Sequence, residues 1–220
     1  MATALVTGAN RGIGLELARL LVGAGWDVIA ACRHRSIDLD ELGCRVETLD
    51  VADDASAPAL AARLGDVTID LLINNAGVLD ADELGSLDLE SIRRQFEVNA
   101  LGPLKITAAL RGNLARGSRV VLVTSRMGSM ADNSSGGYYG YRMSKAALNA
   151  AGVSLARDLA DDGISVLLVH PGFVRTEMTG GRGDVEPRDA AANILRRVSE
   201  MDPADSGAWV HAGTGEPLPW

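Results

Sequence analysis

Residues 3–25, "TALVTGANRGIGLELARLLVGAG", decide the fold. The first five, "TALVT" (3–7), are apolar or β-branched almost throughout and read as a strand buried on both faces. The last fifteen, "RGIGLELARLLVGAG" (11–25), read as a helix closed by Gly25. Gly8, Gly12 and Gly14 mark the junction. Gly8 permits the tight turn, Gly12 lets backbone approach a phosphate, and Gly14 lets the helix pack closely on the strand. The helix N-terminus, starting near Asn10, Arg11 and Ile13, offers free N–H groups and partial positive charge to a pyrophosphate. The spacing is Gly-x3-Gly-x-Gly rather than the more familiar Gly-x-Gly-x-x-Gly.

Strand and helix signals keep alternating beyond this unit. "DVIAAC" (27–32), "CRVETLD" (44–50), "IDLLINNAG" (69–77), "SRVVLVTS" (118–125), "ISVLLVHPG" (164–172) and "GAWVH" (207–211) read as strands. "APALAARLG" (57–65), "YYGYRMSKAALNAAGVSLARDLAD" (138–161) and "PRDAAANILRRVSEM" (187–201) read as helices. "DLESIRRQFEVNALGPLKITAALRGNLA" (88–115) is helical in two pieces around Gly102-Pro103. The strands are expected to be apolar throughout, as a parallel sheet covered on both faces requires. The expected architecture is a single α/β domain over 1–220, a Rossmann fold with a doubly wound parallel sheet flanked by helices. In such a sheet ligands sit at the carboxyl ends of the strands.

Composition narrows the partners. The net charge of -8 repels phosphate backbones and argues against nucleic acid. No apolar run approaches the ~18 residues of a membrane helix, and "MATALVTGAN" lacks the features of a secretory signal. Two cysteines, Cys32 and Cys44, form no disulfide framework and suit reduced thiols in a cytoplasm. No His, Cys, Asp and Glu cluster has metal-ligand spacing, so no metal is expected.

At the end of the second strand a dinucleotide-binding turn commonly carries an acidic residue for the ribose 2′-OH. Here the residues are Ala31-Cys32-Arg33-His34-Arg35, and Asp27 stands at the wrong end of the strand. Arginine suits a 2′-phosphate through paired charge-assisted hydrogen bonds, with Arg11 able to add a second charge. The expected cofactor is therefore NADP(H) rather than NAD(H).

All three tyrosines and one of the two lysines fall in "GGYYGYRMSK" (136–145). Tyr141 and Lys145 are four apart and share a helical face. A nearby ammonium favours the phenolate and is expected to lower the tyrosine pKa. A phenol so tuned exchanges a proton with a carbonyl or alcohol oxygen. With 19 arginines against two lysines, a merely solvated cation has every reason to be arginine. Ser125 ends the "VVLVTS" strand, where a ligand-contacting hydroxyl is expected. Gly140 is expected to separate Tyr138 and Tyr139 from the helix and leave them on the substrate side.

These motifs together resemble the short-chain dehydrogenase/reductase family, over nearly the whole chain. "TGANRGIG" (7–14) matches that family's cofactor loop, including its glycine spacing, and "NNAG" (74–77) its segment beside the cofactor. Within the family, residues 125–149 and the ending "LPW" resemble the C-factor and sniffer-type carbonyl reductase branch. The resemblance implies that Asn99, Ser125, Tyr141 and Lys145 are the catalytic set. It implies adenine contact by Asp50 and Val51, and cofactor contact by Asn75, Ala76 and Gly77. It likewise implies nicotinamide-side contact by Pro171, Gly172, Val174 and Thr176. Tyr141 would carry the proton, Ser125 would bond the carbonyl oxygen, and Lys145 would hold the nicotinamide ribose. Asn99, where its helix is interrupted, would hold a water in a relay to Lys145. The implied reaction is NADPH-dependent reduction of a ketone or aldehyde, in a homodimer or homotetramer. A C-factor-like signalling protein with little turnover is the alternative.

Met127, Tyr138, Tyr139 and Met178 are the expected substrate-pocket residues, with Met130 and Met143 nearby. "EMTGGRGDVEPRD" (177–189) is expected to cover the pocket, as a mobile lid or leaving it open. His170 is assigned a structural or cofactor-lining role and His34 to solvent. Trp209 and Trp220 are expected to pack on the body or in a subunit interface.

Overall fold

The computed structural model describes residues 1–220. Each strand but the last is followed by a crossover long enough to return the chain parallel to it. The strands are β1 (Thr3–Thr7), β2 (Asp27–Cys32), β3 (Arg45–Thr48), β4 (Ile69–Asn74), β5 (Leu114–Val123), β6 (Ser165–His170) and β7 (Trp209–His211). They form one sheet in the order β3-β2-β1-β4-β5-β6-β7, and every pairing is parallel. The chain reverses its direction of travel between β1 and β4, and that is where a doubly wound sheet opens a crevice.

The helices are α1 (Gly12–Gly23), α2 (Ile37–Asp40), α3 (Ser56–Leu64), α4 (Leu89–Phe96), α5 (Gly102–Ala109), α6 (Tyr139–Asp158) and α7 (Pro187–Glu200). Alternate strand residues feed two cores. Leu5, Leu72, Val120, Leu122, Val166 and Leu168 join a cluster with Leu60, Ile106 and Leu148 of α3, α5 and α6. Val6, Leu71, Ile73, Val121, Leu167 and Val169 join another with Leu17 and Leu21 of α1 and Ile194 and Val198 of α7. Covering both faces is what makes the central strands apolar without alternation. No helix is long and apolar enough to cross a membrane.

Four expectations change. β3 is not a buried run: at the sheet edge its residues are exposed or half-buried, and Glu47 pairs with Arg45 and Arg63 at 2.7 Å each. β5 begins at Leu114 rather than 118, because Leu114 pairs with Ile69 across an irregularity in the ladder. Tertiary pairing thus takes "LA" (114–115) out of the expected helix. The break in the 88–115 helix falls before Gly102-Pro103, as a π-helical turn over Glu97–Leu101, and Pro103 sits in the first turn of α5. Gly140 lies inside α6, which opens at Tyr139, so only Tyr138 stands outside the helix. Gly140 meets the need for close packing instead: a Cβ there would lie 2.7 Å from Gln95 Nε2.

Candidate active site

The glycine loop and the segments after β4 and β6 meet at the carboxyl edge of the sheet. Gly8 adopts φ +66°, and a Cβ on it would lie 2.9 Å from the Ala76 Cα. A Cβ on Gly14 would lie 2.2 Å from the Gly8 carbonyl oxygen, so α1 can start this close only with glycine there. Thr7 ties the two strand ends together. Its hydroxyl accepts from the amides of Asn75 (3.0 Å) and Ala76 (3.1 Å). The Asn75 side chain donates back to the Thr7 carbonyl at 3.0 Å. Across the loop, a Cβ on Gly12 would be 3.5 Å from the Thr176 methyl. The Asn10 carbonyl accepts from Ser36 at 2.8 Å, which anchors the loop to the N-cap of α2. Half-buried Ile13 packs against the core on the α1 side. Pro171 and Gly172 follow β6 directly, and Val174 is buried and bridged to Val185.

The expected phosphate-binding arginines part company. Arg33 is exposed at the end of β2. Arg35 pairs with Asp40 at 3.1 Å, and Arg11 pairs with Glu177. Both side chains of the Arg11–Glu177 pair are exposed, so Arg11 stands at the solvent side of the glycine loop. The Asp50 carboxylate accepts from its own Ala52 amide at 3.0 Å. Val51 is buried under Gly102, whose Cβ would lie 3.1 Å from the valine Cβ. Residues 177–189 carry several ties to the segment after β6. Arg175 holds Glu186 (2.5 Å) and the Gly183 carbonyl (2.8 Å), and the Thr179 hydroxyl donates to the Val174 carbonyl at 2.9 Å.

Asn99, Ser125, Tyr141 and Lys145 are all buried. Ser125 lies two residues beyond β5 and opens a 3₁₀ turn, accepting from the Met127 amide at 3.2 Å. Asn99 sits in the π turn, the kind of local irregularity that re-aims a side chain out of helical register. Its amide oxygen accepts from the Val78 N–H (2.8 Å). Its nitrogen donates to the Val78 carbonyl (2.8 Å) and to Ser144 (3.0 Å). Lys145 donates to the Val123 carbonyl at 2.8 Å, and its ammonium lies 5.8 Å from the Tyr141 ring centroid. A Cβ on Gly77 would lie 3.2 Å from Asn99 Oδ1 and 3.8 Å from Lys145 Nζ, so both side chains converge on that glycine. Thr7 and Ser144 brace this site, though neither is singled out as a site residue from the sequence. Ser144 stands directly before Lys145, and Thr7 directly before the glycine loop.

Burial governs the site's acid–base behaviour. It pushes the Tyr141 phenol up to about 12, opposed by the Ser125 hydroxyl, and the Lys145 ammonium down to about 8. The expected lowering of the phenol by Lys145 is therefore overturned here. Desolvation disfavours phenolate more than any partner favours it, and the ammonium spends a hydrogen bond on Val123. Beside Pro171, His170 is pushed down to about 3 by burial, with His211 and Arg126 adding to the shift, and stays neutral. Its ring packs edge-on against His211, 5.2 Å between centroids.

Of the residues expected to line a substrate pocket, Met127, Tyr138 and Tyr139 are half-buried and Met178 is exposed. The end of the chain returns to this loop: the Trp220 carbonyl accepts from the Ala131 amide at 3.0 Å. The Trp220 ring stacks 5.2 Å from buried Trp209.

A sheet of this topology with this buried set at its carboxyl edge defines a short-chain oxidoreductase, and a family model described as short chain dehydrogenase matches residues 2–187. The chain belongs to that family. It is 45% identical to a 1-hydroxy-2-glutathionyl-2-methyl-3-butene dehydrogenase of Rhodococcus sp. (strain AD45), with 100% of both chains covered. The C-signal protein of Myxococcus xanthus is 44% identical over 69% of this chain and 93% of its own. An NADPH-bound carbonyl reductase from chicken fatty liver superposes with a TM-score of 0.91 at 29% identity, covering 100% of this chain and 99% of that one.

Proposed function

We propose that this oxidoreductase reduces a ketone or aldehyde to an alcohol with NADPH. The observation that carries the reading is the buried convergence of Ser125, Tyr141, Lys145 and Asn99 beside the glycine cradle. The cradle fits a dinucleotide: at Gly8 and Gly14 a side chain would collide with the Ala76 backbone and the Gly8 carbonyl, so only glycines let the loop and the start of α1 pack this closely, with the helix N-terminus there to take a phosphate. Gly12 and Ile13 would hold the pyrophosphate, Arg33 the 2′-phosphate, and Asp50 with Val51 the adenine. Asn75–Gly77, Pro171, Gly172, Val174 and Thr176 would flank the nicotinamide end. Bound there, the cofactor supplies the hydride.

The residues do the rest. Ser125 donates a hydrogen bond to the carbonyl oxygen and stabilises the negative charge developing on it. Tyr141 is held in its proton-bearing form by burial, which is the form an acid needs, and releases the proton to an oxygen becoming an alkoxide. Lys145 keeps a positive charge beneath the site below about pH 8. Asn99 fixes the segment at Val78 and Ser144, with Lys145 next along the relay.

The test is NADPH oxidation by the purified protein over a panel of activated ketones and aldehydes. Tyr141→Phe is expected to lose about 10²- to 10⁴-fold in kcat while still binding NADPH. NADH is expected to serve at least about tenfold less well, as loss of a charge-assisted phosphate contact implies. Full turnover by Tyr141→Phe sinks the mechanism. Likeness to the C-signal protein favours a second reading, nucleotide binding without turnover. Tight NADPH binding with no turnover on any carbonyl would select it.

A further inference from the structure

The helix that carries Tyr141 and Lys145 has no cap of its own. Tyr138 occupies its N-cap position, and its side chain accepts no hydrogen bond from the first turn. Its φ of +53° makes it the single non-glycine residue of the chain in the left-handed region. The three amides that open the helix all end on one distant residue, Asp82. The Asp82 carbonyl accepts from the Tyr138 N–H at 2.9 Å. Its Oδ1 accepts from Tyr139 at 2.7 Å and its Oδ2 from Gly140 at 3.0 Å. Asp82 is 7% exposed and in no ion pair, so its buried charge is met by these amides and the positive end of α6.

Asp82 ends a strap, residues 78–82, that leaves the cofactor-side segment and crosses to the start of α6. Alternate residues of the strap are tied down. Val78 is held on both its N–H and its carbonyl by Asn99. The Asp80 amide donates to Gln95 Oε1 at 3.0 Å, and its carboxylate accepts from Ser91 at 2.8 Å and from Arg94. Gln95 of α4 also packs against Gly140, where a Cβ would lie 2.7 Å from its Nε2. The first turn of α6 is therefore located by the strap and by α4. Tyr141 is the next residue along.

We propose that Asp82 is the positioning residue for Tyr141. Its carboxylate sets the height and direction of the first turn of α6, and through it the place of the phenol relative to the carbonyl oxygen. The proposal rests on the reading that Tyr141 donates the proton. Asp82 itself touches neither substrate nor cofactor. An ångström of displacement in a proton donor costs rate without costing binding, so the signature of this role is a fall in kcat alone.

Asp82→Ala removes both side-chain acceptors, and Asp82→Asn keeps one. NADPH affinity, by fluorescence titration of each purified variant, is expected to stay within about twofold of the parent protein. The kcat of Asp82→Ala for carbonyl reduction is expected to fall about tenfold or more with the carbonyl KM little changed, and Asp82→Asn to recover part of the loss. Asp82→Ala with kcat within about twofold of the parent overturns the proposal. So does Asp82→Asn that is no better than Asp82→Ala, or a parallel loss of NADPH affinity and kcat. Should Asp82→Ala fail to fold, Asp82→Asn decides alone: a several-fold lower kcat at unchanged NADPH affinity supports positioning, and unchanged kcat refutes it. Tyr141→Phe is run beside them. If it retains full turnover, the Tyr141 reading itself fails; if it is dead while Asp82→Ala is fully active, only the positioning role falls.

Discussion

Tyr141 and Lys145 share a helical face, yet burial drives them in opposite directions, the phenol up to about 12 and the ammonium down to about 8. This separates their roles in any pH profile. The phenol keeps its proton across the whole working range. The ammonium is charged below about pH 8 and loses its charge as pH rises through that value. Carbonyl reduction is therefore expected to slow above about pH 8 because Lys145 deprotonates, and a kcat profile measured to about pH 10 checks it. Lys145→Met should be slower and lack that inflection; an inflection that survives the substitution belongs to another group. The pairing of these two residues was legible from their spacing of four and from the scarcity of lysine. The sign of the phenol's shift was not, because desolvation depends on everything packed around the ring.

Among the elements, the interrupted helix from α4 to α5 does the most to shape the site. Its π turn places Asn99 where one side chain makes three hydrogen bonds: to the N–H and the carbonyl of Val78 and to the Ser144 hydroxyl. Asn99→Ala leaves the half-buried Val78 N–H and carbonyl without those partners. A loss of about 2–4 kcal/mol is expected, from about 1–3 kcal/mol per stranded group with partial relaxation. Urea unfolding monitored by circular dichroism measures it, and a loss below about 1 kcal/mol contradicts the bracing role. The strand and helix signals predicted nearly every element, since period and apolar run length are local properties. They misplaced the helix break and the start of β5. Gly102-Pro103 is a strong local signal for a break, but Gly102 is needed for contact with Val51 and Pro103 is at home in a first turn. Residues 114–115 carry no strong strand signal and become strand because Ile69 lies opposite.

At the scale of the whole molecule, both faces of the sheet are closed, and His170 shows what that closure does to a charge. At the end of β6 its pKa is pushed from 6.5 down to about 3, so the folded protein keeps it neutral. As pH falls, the unfolded chain takes up this proton first. Stability from the neutral imidazole is thus fully present above about pH 6.5 and is lost progressively as pH falls toward about 3. Urea midpoints measured between about pH 7 and pH 4 should fall more steeply for the parent protein than for His170→Gln, and equal slopes would assign the acid loss to other groups. The glycine spacing, the apolar strand runs and the Tyr-Lys interval are local features, and they determined the doubly wound fold and pointed to Ser125, Tyr141 and Lys145, while the resemblance they carry to the family supplied the other candidate residues. Which residue caps α6, where the helix bearing Asn99 breaks, which arginine is free at the end of β2 and which way the buried pKa values move were decided only by tertiary structure. Each depends on contacts between segments tens of residues apart, where packing, desolvation and hydrogen-bond partners are set by neighbours in space rather than in sequence.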